Sequence, residues 1–202
     1  MAKVKLTKTA LKQQRDSLKQ FQRFLPTLQL KKQQLQMEMR SCQERIKENE
    51  RQEKALKEAL SPWLPLFGED APVERAVKAI SILRLETGRL NIAGVNVPVF
   101  KSVEFAVAPY SLIDEDPWFD DAVETIKRVI AVQAEREVIR EQYRLIAREL
   151  RTTTQRVNLF EKVKIPECKD NIRTIQIYIG DMDTAAVGRS KIAKRKLQEA
   201  AA

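Results

Sequence analysis

The sequence predicts a mainly α-helical protein: a long antiparallel two-helix coiled coil formed by the N- and C-terminal segments, with a small central β-hairpin insert. Three observations lead to this prediction. Apolar residues recur every seven positions towards both ends of the chain. Six of the eight prolines and three of the five glycines fall between residues 61 and 117, where they interrupt regular helix. Charged residues make up 32% of the chain and aromatic residues 6%, which is typical of long exposed helices rather than one compact globule.

The same punctuation divides the chain into three segments. Residues 1–60 are predicted to form an N-terminal coiled-coil helix, residues 61–117 a Pro/Gly-rich insert with a β-hairpin, and residues 118–202 a C-terminal coiled-coil helix with a basic tail. The basic and acidic side chains number 15 and 7 in the first segment, 5 and 8 in the second, and 17 and 13 in the third. Because both signs are abundant, the net charge of +9 does not by itself indicate a nucleic-acid partner.

The first segment is predicted to be one helix from about Thr7 to about Leu60. Its apolar residues form two rows, and within each row they recur every seven positions. This pattern is typical of two helices that wind around each other. At ~1.5 Å per residue such a helix would be roughly 80 Å long. Pro26 lies inside it and is expected to bend it locally, because proline removes one backbone hydrogen bond. The predicted seam residues are Leu11, Leu18, Leu25, Leu28, Leu35, Met39, Ile46 and Leu56.

The last segment is predicted to begin its helix at Asp116-Pro117, where an acceptor side chain precedes a proline suited to the first turn. Asp120 and Asp121 follow and favour the positive end of the helix. After Phe160 the apolar residues are spaced four apart each time, instead of alternately four and three. Such a stutter locally unwinds a coiled coil, and we predict a bend or register change at Pro166. The predicted seam residues are Val132, Ile139, Ile146, Leu150, Val157, Phe160, Ile172, Ile175 and Ile179.

The insert opens with an apolar, proline-rich turn at residues 61–68. Strand-like stretches follow at about Val77 to Leu85, Leu90 to Ile92 and Val97 to Val107. The hairpin turn lies either at Gly88 or at Gly94-Val95-Asn96. We favour the second position because Pro98 suits an edge strand beside a turn.

Each long helix carries an apolar stripe that the small insert is too short to cover, so the two helices are expected to fold back on one another. Lys32, Asn49, Glu53 and Arg136 interrupt the stripes with polar groups. Such residues either fix the register of pairing at a cost in stability or are tolerated where the seam is solvated. The sequence leaves both interpretations open.

The residues that commonly carry catalysis are missing. The chain has no histidine, which excludes nucleophile schemes that need a histidine base and the usual nitrogen ligand for metals. Neither a Gly-x-x-x-x-Gly-Lys loop nor a Gly-x-Gly-x-x-Gly motif is present. The acidic run from Asp114 to Asp121 is explained by its place at a helix start. We therefore expect a non-enzymatic chain without cofactor or metal.

The cysteines and the hydropathy of the chain indicate its cellular compartment. Cys42 and Cys168 sit at apolar positions of helical patterns, so buried reduced thiols are expected, which suits the cytosol. No apolar run approaches the roughly 20 residues needed to span a bilayer, and no signal-peptide apolar region follows the basic N-terminus. We expect a cytoplasmic chain that lies peripheral to a membrane if it serves a membrane machine.

Particular strings resemble the D subunits of V-type and archaeal-type ATPases, over nearly the whole chain. They are the N-terminal Leu-Lys-Gln-Gln-Arg-Asp-Ser-Leu helix, the segment Asn-Ile-Ala-Gly-Val-Asn-Val-Pro at residues 91–98, and Gln-Arg-Val-Asn-Leu-Phe-Glu at residues 155–161, which leads to Ile165-Pro166. The residues that we take as the family signature are Asn91, Gly94, Pro98, Arg156, Asn158 and Pro166.

The resemblance implies the central rotor shaft of a rotary ATPase, which transmits torque between the catalytic hexamer and ion translocation through the membrane ring. It implies as partners the alternating A and B catalytic subunits, the F subunit, and the subunit that couples to the membrane ring. Trp63, Phe67 and the hairpin would serve contacts near the membrane end. The residues implied to meet the catalytic sleeve are Lys3, Lys5, Lys8, Lys12, Arg15, Lys191, Lys194, Arg195 and Lys196.

Two other functions fit the same layout. A prefoldin-like chaperone also has a helix, hairpin, helix order, but its arms end in exposed apolar residues, whereas both ends here are basic. A basic coiled-coil nucleic-acid-binding protein would bind tightly with a steep loss of affinity as salt rises. The stacking aromatics expected for single strands are missing from the basic stretches.

Overall fold

A computed structural model describes residues 5–60, 72–110 and 119–200. Helix α1 spans Lys8–Leu60, and a short helix α2 spans Pro72–Ala79. Strands β1, Ile80–Ile92, and β2, Val95–Val107, form an antiparallel hairpin. Helix α3 spans Phe119–Leu159, a π-helical turn covers Phe160–Lys164, and helix α4 spans Ile165–Ala200. The predicted fold class, two long terminal helices with a central β-hairpin, is confirmed.

Helix α1 begins where the sequence predicts. The Thr7 hydroxyl accepts a hydrogen bond from the Ala10 backbone N–H at 3.2 Å, which satisfies one of the free donors at the helix N-terminus. Pro26 lies inside the helix, as expected. The predicted start of the last helix at Asp116-Pro117 lies outside the described residues. Asp120 and Asp121 do lie in the first turn of α3.

The chain packs as two compact units. The first contains Met1–Lys32 and Thr152–Ala202, and the second contains Gln33–Arg151. In the first unit the ring of Phe21 on α1 packs at a tilt against that of Phe160, with centroids 5.0 Å apart, and Lys8 contacts Asp183. A contact nearer the start of α1 thus has its partner nearer the end of the C-terminal helix, so the two helices pair antiparallel.

The second unit shows the same antiparallel order. Gln43 donates a hydrogen bond to the Tyr143 hydroxyl at 3.3 Å, and Glu53, ten residues on, pairs with Arg136. The core of this unit contains residues from α1, α3 and the hairpin together: Leu35, Cys42, Val97, Ile139 and Ile146.

The hairpin turn consists of Ala93 and Gly94. Both have positive φ, 49° and 82°, the conformation of the two-residue turn that matches strand twist. The Asn91 side-chain oxygen accepts the Gly94 N–H at 3.0 Å, and its amide donates to the Asn96 side chain at 2.7 Å. The predicted turn position, Gly94-Val95-Asn96, is therefore correct for Gly94 and wrong for Val95 and Asn96, which already belong to β2. Gly88 lies inside β1.

The predicted start of the first strand at Val77 is wrong, because residues 77–79 belong to α2. Ala76 of that helix is fully buried against Phe119 and Val123. This contact joins residues more than forty positions apart, so tertiary packing has overridden the β-branched local composition. The strands are also longer than predicted, at 13 residues each.

The register change lies just before Pro166 rather than at it. The Ile165 N–H donates to the Phe160 carbonyl, five residues back, which defines the π-helical turn. Pro166 has no N–H to offer to the carbonyl four residues back and its ring would collide with that group. The wider turn relieves this conflict, and helix continues on both sides.

Candidate partner-binding surfaces

The basic residues predicted to meet a partner are exposed wherever the structure describes them. Lys3 lies outside the described residues. Lys8 forms an ion pair with Asp183 at 4.0 Å, but both side chains are largely exposed, so the pair contributes little stability. Those that the structure describes all belong to one compact unit. The exposed members are Lys5, Lys8, Lys12, Arg15, Lys191, Lys194, Arg195 and Lys196.

The end of α4 also exposes apolar side chains that were not predicted as contacts from the sequence. Every residue from Gly180 to Ala200 is exposed. Val187, Ile192 and Leu197 are among them, with exposed fractions of 56%, 54% and 71%. They are spaced five residues apart, a step that does not place them on one helix face, so no periodic signal in the sequence indicated this exposed apolar surface. This last stretch of helix therefore offers a partner both positive charge and apolar surface.

The predicted seam residues line the interiors of the two units. All seventeen are buried or half-buried. The buried members are Leu35, Ile139 and Ile146 in one unit and Val157 and Ile175 in the other. Of the polar interruptions, Asn49 and Glu53 are buried, and Lys32 and Arg136 are half-buried.

Glu53 is the centre of a buried polar cluster between α1 and α3. Its carboxylate accepts hydrogen bonds from Lys57 at 2.7 Å and from Gln133 at 2.8 Å, and it forms an ion pair with Arg136. These donors together lower the pKa of Glu53 from 4.5 to about 2. The cluster holds Glu53 opposite one particular turn of α3.

Gln142 connects the hairpin to both long helices, a role that was not predicted from the sequence. Its side chain is 3% exposed. Its amide nitrogen donates to the Pro98 carbonyl of β2. Its oxygen accepts from Arg45 at 3.4 Å and from the Cys42 thiol at 3.9 Å, both on α1. A lone glutamine among charged residues gives no sequence signal for this role.

The signature residues occupy two structural positions. In the hairpin, Asn91 and Gly94 build the turn and Pro98 receives the Gln142 hydrogen bond. In the other unit, Arg156 and Asn158 are exposed on either side of the buried Val157, and Pro166 follows the π-helical turn. The structure thus explains the hairpin group by backbone geometry and leaves Arg156 and Asn158 free for contacts.

The cysteines are buried free thiols. Burial raises the pKa of both Cys42 and Cys168. Within the described ranges no cluster of three or more acidic, cysteine or histidine side chains is arranged to hold a metal ion. No helix among those residues combines the length and apolar character needed to cross a membrane.

Comparison with known proteins agrees with these features. The family described as the ATP synthase D subunit matches residues 10–195. The V-type ATP synthase D subunit of Borreliella burgdorferi is 46% identical over 197 residues, covering 98% of this chain and 96% of that protein. The proteins of the same name from Chlamydia caviae and Chlamydia felis are 32% and 33% identical, each covering 98% of this chain and 95% of the relative. The chain belongs to the family of ATP synthase D subunits.

Proposed function

We propose that this chain is the central stalk subunit of a V-type ATPase or ATP synthase, which transmits torque between the catalytic hexamer and the membrane rotor ring. The observation that carries the proposal is the full-length identity to a V-type ATP synthase D subunit, together with an antiparallel helix pair whose charged end is free for a partner. Two wound helices resist twisting better than one, which suits a part that carries torque.

The proposed partners are the A and B catalytic subunits, the F subunit, and the subunit that couples to the membrane ring. The basic, partly apolar end of α4 and the basic start of α1 would meet the sleeve of A and B subunits. The chain itself would carry out no catalysis and would lie on the cytoplasmic side of the membrane. Neither the chaperone nor the nucleic-acid alternative gains support from family membership.

Co-expression with candidate A, B and F subunits, followed by native mass spectrometry, tests the assembly. We expect one copy of this chain for each hexamer. A complete hexamer that never captures this chain would contradict the proposal.

Charge reversal tests which surface meets the sleeve. Changing Lys191, Lys194, Arg195 and Lys196 to glutamate should weaken association at least tenfold and reduce its dependence on salt. Reversing four exposed basic residues outside the tail, Arg151, Lys162, Lys169 and Arg173, is the matched control. Equal losses from both variants would show that the tail is not the contact.

As a further part of the proposal, local bends at Pro26 and Pro166 contribute to the asymmetry of the shaft. An asymmetric rotor presents a different surface to each catalytic subunit at each angle. Pro26→Ala and Pro166→Ala should each change ATP hydrolysis or its coupling to ion transport. Unchanged rates and coupling in both variants would remove this part.

A further inference from the structure

Strand β1 has an outer edge that no described residue pairs with. The sheet has two strands in the described part of the chain, so each strand has one outer edge. The outer edge of β2 faces α3, since the Pro98 carbonyl accepts its hydrogen bond from Gln142. The outer edge of β1 therefore lies on the side of the hairpin away from that contact.

The backbone groups on this edge can be identified from the pairing. In an antiparallel pair, opposed residues alternate between hydrogen-bonded and non-hydrogen-bonded positions. Ile92 and Val95 close the two-residue turn as a hydrogen-bonded pair. Counting back, Arg89 and Pro98 form a non-hydrogen-bonded pair. Proline without an N–H fits this position, and its carbonyl does turn outward to Gln142.

The residues on β1 with outward N–H and C=O groups are therefore Thr87, Arg89 and Asn91. All three are exposed. Natural proteins protect sheet edges with proline, charge, bulges or covering elements. On β2 both a proline and α3 provide this protection. On β1, the stretch from Thr87 to Asn91, which lies between the register shift at Glu86/Thr87 and the turn, has only the single charge of Arg89.

Two apolar side chains on β1 are also more exposed than the side chains opposite them on β2. Leu90 is 52% exposed, while Val97 directly opposite is 1% exposed. Leu85 is also exposed, at 43%, while its partner Val103 is half-buried. The ends of β1 also pack, since Ile80 and Ile92 contact the core clusters. Leu90 and Asn91 line an open groove beside Met37 of α1. Between these ends β1 presents backbone donors, apolar side chains and a positive charge.

From this arrangement we infer that the outer edge of β1, from Leu85 to Asn91, binds an extended strand from another subunit of the complex. Unpaired N–H and C=O groups in a row are satisfied by a strand rather than by a helix. The partner strand has apolar residues that cover Leu85 and Leu90, and an acidic residue opposite Arg89. The inference rests on assembly into the complex but not on the direction of torque or ion flow.

Hydrogen exchange resolved to single residues tests the inference, comparing the full chain alone with the assembled complex. We expect the amides of Thr87, Arg89 and Asn91 to exchange at least tenfold more slowly in the complex. The inward amides of Gly88 and Leu90, which bond to β2, serve as the internal reference. Equal rates for the outward amides in the two states overturn the inference. Slowing already in the chain alone at high concentration assigns the edge to a second copy and also overturns it.

Two variants at one position separate strand pairing from side-chain contact. Arg89→Pro removes an outward N–H without breaking a bond to β2, and Arg89→Ala removes the side chain but keeps that N–H. We expect the proline variant to lower affinity for the complex at least tenfold further than the alanine variant. Equal losses contradict backbone pairing. A chain that fails to assemble even as wild type contradicts the proposed function, whereas assembly with an unprotected edge contradicts only this inference.

Discussion

Replacing Glu53 with glutamine removes the charge at the centre of the buried cluster between α1 and α3. The pKa of this carboxyl falls from 4.5 to about 2 on folding, and each pKa unit corresponds to about 1.4 kcal/mol. The full shift would correspond to roughly 3 kcal/mol. Lys57 is 60% exposed, so solvent screens its share. We expect Glu53→Gln to lower the free energy of unfolding by about 2 kcal/mol at pH 7.

Urea denaturation of the full chain, followed by circular dichroism, measures this loss. The matched control is Glu58→Gln, which removes an ion pair with Lys54 at 3.5 Å on the exposed side of the same helix. That pair is worth at most about 0.5 kcal/mol. Equal losses from the two variants would refute the argument that burial gives the Glu53 cluster its strength.

The pH dependence provides a second check on the same cluster. The folded pKa of Glu53 is lowered, so its contribution is fully present above the unfolded value near 4.5 and is lost as pH falls towards about 2. The stability difference between wild type and Glu53→Gln should therefore shrink between pH 4.5 and pH 2. A difference that stays constant through this range would show that the charge is not its source.

Three further predictions concern packing. Gln142→Ala should speed hydrogen exchange of the β2 amides near Pro98 at least tenfold, because it removes the link between hairpin and helices; unchanged exchange would contradict that link. Ile175→Ala should cost about 2–4 kcal/mol of unfolding free energy, since Ile175 is fully buried, while the exposed Ile177→Ala should cost under about 0.5. The buried thiols of Cys42 and Cys168 should react with a thiol reagent at pH 7 at least tenfold more slowly than in urea; equal rates would show that they are accessible.

The long helices were predictable because their signal repeats over many turns. A seven-residue apolar row in α1 fits only a helix with a partner, and a second row near the C-terminus supplies that partner. Gln142 gave no such signal, because its burial depends on where the hairpin docks. The helical state of Val77 was likewise unpredictable, since Ala76 packs against residues far along the chain.

Local backbone chemistry located other features to within a few residues. Gly94 indicated the turn, but the sequence did not distinguish whether the residue before or after it shares the positive φ. The four-residue apolar spacing after Phe160 indicated a register change. It did not indicate that a π-helical turn before Pro166 accommodates this change. Glu53 and Arg136 were found as polar interruptions on two helices. Their direct pairing required the register, which the sequence left open.

The π-helical turn has a consequence for insertions and deletions. A π-helical turn accommodates one residue more than an α-helical turn, so the segment Phe160–Lys164 behaves as a single-residue insertion absorbed in place. Deleting the exposed Lys162, together with Pro166→Ala to allow regular helix, should leave Cys168 and Ile175 facing the core. Deleting the exposed Arg151 from α3 instead should rotate the following residues by about 100° and turn that face outward. In the long C-terminal helix, this turn is thus a place where the chain can change its length by one residue without changing which side chains it buries.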